Sequence, residues 1–152
     1  MEKSILIKSQ GNRLIFYGIL LFFLGLIVGL VIPLLANPRM GVSSHLEGIL
    51  NGMFLVLLGL IWHKVDLSEK WLKITFWLAI YGTFANWFGI LFASVFNAGK
   101  LLNIAAEGQE GSPAEEAILN FFLITLSIAM IMISITVMIG LKRNMNNETL
   151  NK

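Results

Sequence analysis

The sequence predicts an all-α integral membrane protein, a bundle of four transmembrane helices in one domain over residues 1–152. Apolar residues make up 57% of the chain and charged residues 13%, against about 45–50% and about 25% in soluble domains. Four long runs are almost free of charge, and roughly 20 such residues cross the hydrocarbon core of a bilayer as a helix. The lipid bilayer is therefore the expected partner of most of the surface.

The first helix is expected over 14–36. Basic residues precede it, as in a signal peptide, but the apolar run exceeds the roughly 7–15 residues of a signal h-region and reads as a retained span. Gly18, Gly25 and Gly29 lie on one stripe, where small side chains let another helix approach closely. Pro33 bends or ends the helix near its exit. Asn37-Pro38 favours a turn. Ser43 or Ser44 then serves as an N-cap with Glu47 near the third position, a capping-box pattern that starts the second helix, 44–62. His63 to Lys70 forms a short charged loop in which His63 has no site role.

The third helix is expected over 71–96, with Tyr81 and Asn86 in its middle. Residues 97–113, rich in Gly and Glu, read as an exposed loop. The fourth helix, 114–141, opens with Glu115 and Glu116, favourable at a helix N-terminus. The tail 142–152 is expected to be disordered. Counting Lys and Arg segment by segment gives nine at the face shared by the termini and two, Arg39 and Lys100, at the other. By the positive-inside rule both termini are expected in the cytoplasm of a bacterial inner membrane.

The stretch from Asn37 to Gly52 holds most of the chemistry. His45, one of two histidines, sits with Glu47 and Asn51 near the start of a span, where polar side chains are costly and usually functional. His45, Gly48 and Gly52 follow i, i+3, i+7 and share a face. A bare strip of backbone beside an imidazole suits a planar macrocycle, and haem held by one histidine is a common arrangement. The same residues also fit a glycine packing face with a structural histidine, or another metal. Asn51 and Asn86 lie at comparable depth and need partners there. They are expected either to hydrogen-bond each other across two helices or to orient a polar substrate. Trp62, Phe84, Trp87 and Phe88 are candidate aromatic walls or, equally, membrane-interface and lipid-facing side chains. Arg39, on the membrane face of His45, is a candidate partner for a haem propionate or simply a loop charge.

Other chemistries are disfavoured. The absence of cysteine removes disulfides, thiolate ligation and thiol catalysis. Zinc wants at least three His, Cys or carboxylate ligands. A serine triad lacks an acid near His45, because Asp66 lies at the opposite face. A net charge of +2 with scattered basic residues gives no nucleic-acid footprint. The two halves do not match as inverted repeats would. Without a second buried histidine, a haem would have an open sixth position, suited to ligand binding or Lewis-acid chemistry rather than electron transfer.

The stretch from Asn37 to Met53, together with Tyr81-Gly-Thr-Phe-Ala-Asn-Trp87, resembles the hydroxylaminobenzene mutases and is more distantly similar to the styrene oxide isomerases. The resemblance runs from about Leu14 to Leu141. It implies a small bacterial membrane isomerase of four helices, a homotrimer with haem b at subunit contacts. It also implies His45 as axial iron ligand, with Asn51 and Asn86 as pocket residues. Gly82 and Ile90 stand where the epoxide isomerases carry an acidic residue and a tyrosine, and this favours the mutase branch. The implied reaction rearranges an arylhydroxylamine, a small aromatic substrate, to an aminophenol with ferric haem as Lewis acid. The alternatives are aryl epoxide isomerisation, a non-enzymatic haem sensor and a structural membrane subunit.

Overall fold

The computed structural model describes residues 2–150, all of whose long elements are helices. They are α1 (Glu2–Val31), α2 (Pro38–Ile61), α3 (Glu69–Phe96), the single turn α4 (Asn103–Ala106) and α5 (Pro113–Leu150). Short 3-10 turns follow α1 and α2 and precede α4. Among the described residues, four helices are long and apolar enough to cross a membrane. The large apolar side chains left outside the bundle, such as Phe16, Leu30, Phe121 and Ile131, belong to the lipid-facing surface of a multi-pass membrane protein.

The helices outrun the spans expected from hydropathy. α1 has 30 residues and α5 has 38; at 1.5 Å per residue both exceed a core of about 30 Å. Their polar ends therefore continue as helix beyond the apolar layer. The expected disorder of residues 142–152 is corrected as far as Leu150. There α5 stays helical, Asn147 Nδ2 donates to Asp66 Oδ2 at 3.1 Å, and Lys3 pairs with the same carboxylate at 3.1 Å. Residues 151–152 lie outside the described residues. Asp66 thus ties together the start of α1, the α2–α3 connection and the end of α5.

The start of α2 is also corrected. Asn37, not a serine, is the N-cap: its Oδ1 accepts from Met40 N at 3.1 Å, and Pro38 opens the helix, where its missing N–H costs nothing. Ser44 is a full turn and more inside the helix and donates to the Trp87 carbonyl at 3.2 Å. Asn37 Nδ2 donates to Asn97 Oδ1 at 3.2 Å and to the Ala106 carbonyl at 3.3 Å. One side chain therefore fixes the outer ends of α2, α3 and α4. The α3–α5 connection carries its own clamp. Glu116, 7% exposed, accepts from the backbone N–H groups of Gly99, Gly111 and Lys100 at 2.8, 2.9 and 3.1 Å.

α1, α2 and α3 pack mutually, and α5 lies along α3. The α1–α2 contact is the closest. Gly11, Gly18 and Gly25 face Gly59, Gly52 and Gly48 in antiparallel order, and a Cβ added to Gly18 or Gly25 would come within 2.9 Å of the α2 backbone. A seven-residue glycine spacing keeps one seam facing its neighbour, as in left-handed helix pairs. Leu14, Leu21, Leu55, Trp62 and Phe76 fill the core at the end nearer the termini.

Candidate functional site

His45 and Glu47 are two residues apart on α2, about 200° around the helix, and they face different neighbours. The His45 ring turns towards α1. Its Nδ1 lies 2.8 Å from the Gly25 carbonyl oxygen, and the ring covers Gly29, whose Cβ, if present, would fall 2.7 Å from Nδ1. Gly29 is therefore the seat of the imidazole. A carbonyl only accepts, so Nδ1 carries a proton, and in the neutral tautomer the lone pair is on Nε2. Nε2 makes no hydrogen bond among the described residues, and the residue is half-buried. This orientation is typical of metal-ligating histidines, whose second ring nitrogen donates to a carbonyl or carboxylate.

The bare groove expected beside His45 does not exist. Gly48 and Gly52 lie against Gly25, Gly18 and Phe22 of α1, so their missing side chains admit a helix and not a macrocycle. The packing alternative describes them correctly. Arg39 is also engaged elsewhere: its Nη1 meets Glu107 Oε1 at 2.6 Å, with both side chains exposed. The residues fit a haem at the ligand, through a correctly oriented imidazole with a free Nε2, and do not fit one lying on the glycine strip.

Glu47 organises the second group. Its Oε2 accepts from Asn51 Nδ2 at 2.9 Å and from Asn86 Nδ2 at 2.6 Å. The two amides thus share a carboxylate instead of bonding each other. Asn51 is 6% exposed, while Glu47 and Asn86 are half-buried. Glu47 is the member that sequence reasoning left out as a cap. The available signal was its i, i+4 spacing from Asn51, which puts both on one helix face. Trp87, next to Asn86, has a buried indole N–H with no partner among the described residues, with Cδ1 of that ring 3.0 Å from a Cβ built on Gly48.

The aromatic candidates divide. Phe84, Trp87 and Phe88 line one groove of about 340 Å³ with Tyr81 and Phe122. Trp62 belongs elsewhere: it is fully buried towards the termini, and its Nε1 donates to Gln10 Oε1 at 3.1 Å. Gly82 packs against Met130 and Ala129 of α5, and Ile90 is buried with Met40, Ala93 and Leu119. α5 thus occupies the space that a longer side chain at position 82 would need.

Four apolar helices long enough to cross a membrane, with a carboxylate–amide cluster between the second and third, describe a polytopic membrane protein. Residues 10–142 match the styrene oxide isomerase family, and the chain belongs to that family. It is 47% identical over 132 residues to hydroxylaminobenzene mutase HabB of Ectopseudomonas oleovorans, covering 86% of this chain and 80% of that protein. It is 45% identical over 127 residues to HabA of the same organism, covering 83% and 94%. The protein is thus an isomerase of the mutase type. No solved structure matches the chain.

Proposed function

We propose that the chain rearranges an arylhydroxylamine to an aminophenol, with haem b held at His45. The observation that carries the substrate class is the 47% and 45% identity to two hydroxylaminobenzene mutases over most of the chain. Glycine at 82, packed under α5, supports this branch over epoxide isomerisation. Haem, when bound, supplies a Lewis-acidic iron that favours negative charge on a substrate oxygen. The chain's own residues do the rest. The Gly25 carbonyl engages Nδ1 of His45 and leaves Nε2 as the nitrogen that would hold the iron. Asn51 and Asn86 hold the Glu47 carboxylate at a fixed place. Product and substrate are isomers, so no reductant enters the balance.

His45 and the Glu47 cluster face different sides of α2, so one chain alone does not bring them to a single pocket. A homotrimer belongs to the same proposal: neighbouring copies would bring the imidazole of one to the carboxylate cluster of the next. Nine basic residues at the end bearing both termini support a cytoplasmic placement of that end in a bacterial inner membrane.

The test is an anaerobic incubation of the purified protein without reductant, with phenylhydroxylamine and styrene oxide in separate and mixed reactions. Conversion of phenylhydroxylamine to an aminophenol of unchanged mass, preferred over styrene oxide in the mixture, is expected. Preference for the epoxide, or conversion of neither, contradicts the reading.

A further inference from the structure

We infer that Glu47 recognises the substrate, its Oε1 accepting the N–H or O–H of an arylhydroxylamine, and so selects this class over donor-free aryl epoxides. This rests on the reaction proposed above. Three observations carry it. First, both amide donors converge on Oε2 at 2.9 and 2.6 Å, and Oε1 has no hydrogen-bond partner among the described residues. Within a span, an acceptor oxygen without a donor is costly, and a half-buried one is open to a ligand that brings the donor. Second, no Lys or Arg pairs with Glu47 among the described residues; the ion pairs there involve Asp66, Glu107 and Glu110. The carboxyl group therefore serves no salt bridge.

Third, a carboxylate is not required for the clamp. A glutamine carbonyl at the same place accepts from both asparagines, so helix packing alone accounts for an acceptor at Oε2 and not for the second carboxyl oxygen. Ionisable groups inside a span point to function for this reason. The chemistry of the two substrate classes then separates them. An arylhydroxylamine carries N–H and O–H donors, whereas an epoxide presents only lone pairs to the carboxylate. A site built around a substrate donor rejects analogues that lack it, because its own polar group is left unpaired.

The experiment measures binding to the purified, full-length protein and does not depend on turnover. Aniline supplies an N–H donor, and N,N-dimethylaniline has none. The ratio of their affinities is compared in wild type and in Glu47→Gln, which keeps the clamp but replaces Oε1 with a donating amide. Partitioning into detergent is common to both proteins and cancels in the comparison. Wild type is expected to favour aniline by about tenfold or more relative to the variant, the scale of a hydrogen bond to a charged group. In turnover the loss in Glu47→Gln should fall mainly on KM for phenylhydroxylamine. A variant that keeps the wild-type ratio overturns the inference. If Glu47→Gln does not fold, wild type decides, since a preference for dimethylaniline beyond its partitioning into empty detergent overturns it equally. Failure of wild type to convert phenylhydroxylamine, with the ratio intact, contradicts the proposed reaction while leaving donor recognition standing.

Discussion

His45 and Glu47 illustrate how two neighbouring polar residues on one helix acquire separate tasks. The imidazole is oriented by a backbone carbonyl of α1, and the carboxylate by amides of α2 and α3. Removing the Asn86 amide leaves Glu47 with a single donor, from its own helix, and breaks the side-chain bond between this carboxylate and α3. Asn86→Leu is expected to lower kcat/KM for phenylhydroxylamine by about tenfold to a hundredfold, the scale of one hydrogen bond to a charged group. Unchanged turnover in detergent would contradict a site role for the cluster. At this scale the sequence is informative about identity and poor about pairing. His45, Asn51 and Asn86 are conspicuous as polar residues within apolar runs. The convergence of both amides on Glu47 is not, because a Ser-x-x-Glu pattern at an assumed helix start gives the carboxylate a sufficient local explanation. Asn37 takes the capping role instead and moves Glu47 about two and a half turns into the helix.

The helices owe their arrangement to glycine. Gly18 and Gly25 on α1 were legible as a packing stripe, and so were Gly48 and Gly52 on α2, but nothing in either run states that the two stripes face each other. Once they do, the strip beside His45 is filled. Gly25→Val would drive methyl groups into the Gly48 backbone, 2.9 Å from its Cβ position. Overpacking of this kind costs about 1–3 kcal/mol, so a lower detergent melting temperature is expected, with displacement of the nearby imidazole. An unchanged melting temperature would contradict the close α1–α2 approach. The α3–α5 connection depends on a different device. Glu116→Gln halves the acceptor capacity offered to Gly99, Lys100 and Gly111, and faster amide hydrogen exchange at those three residues is expected. Exchange at the wild-type rate would mean that the loop is held by other contacts. Sequence reasoning assigned Glu116 a generic favourable position in a first helical turn. Its service to a loop up to 17 residues away in sequence needs the folded chain.

For the molecule as a whole, the four-span architecture and the common side of both termini follow from hydropathy and charge, because lipid exposure writes a strong signal into composition. Helix ends are less legible: polar residues end a hydropathy window without ending a helix, as α1 and α5 demonstrate. Association of copies would leave almost no mark in such a sequence, because lipid-facing and helix-packing surfaces in a membrane are both apolar. Yet the site needs association if His45 and Glu47 are to act on one substrate. The most direct test of the account concerns the imidazole on which its chemistry rests. The Soret absorbance per protein is measured for wild type and His45→Ala, both purified from cells with ample haem. With haem held at His45, a strong band is expected in wild type and its loss in the variant. A wild-type protein without the band, or a variant that keeps it in full, would contradict His45 as the iron ligand.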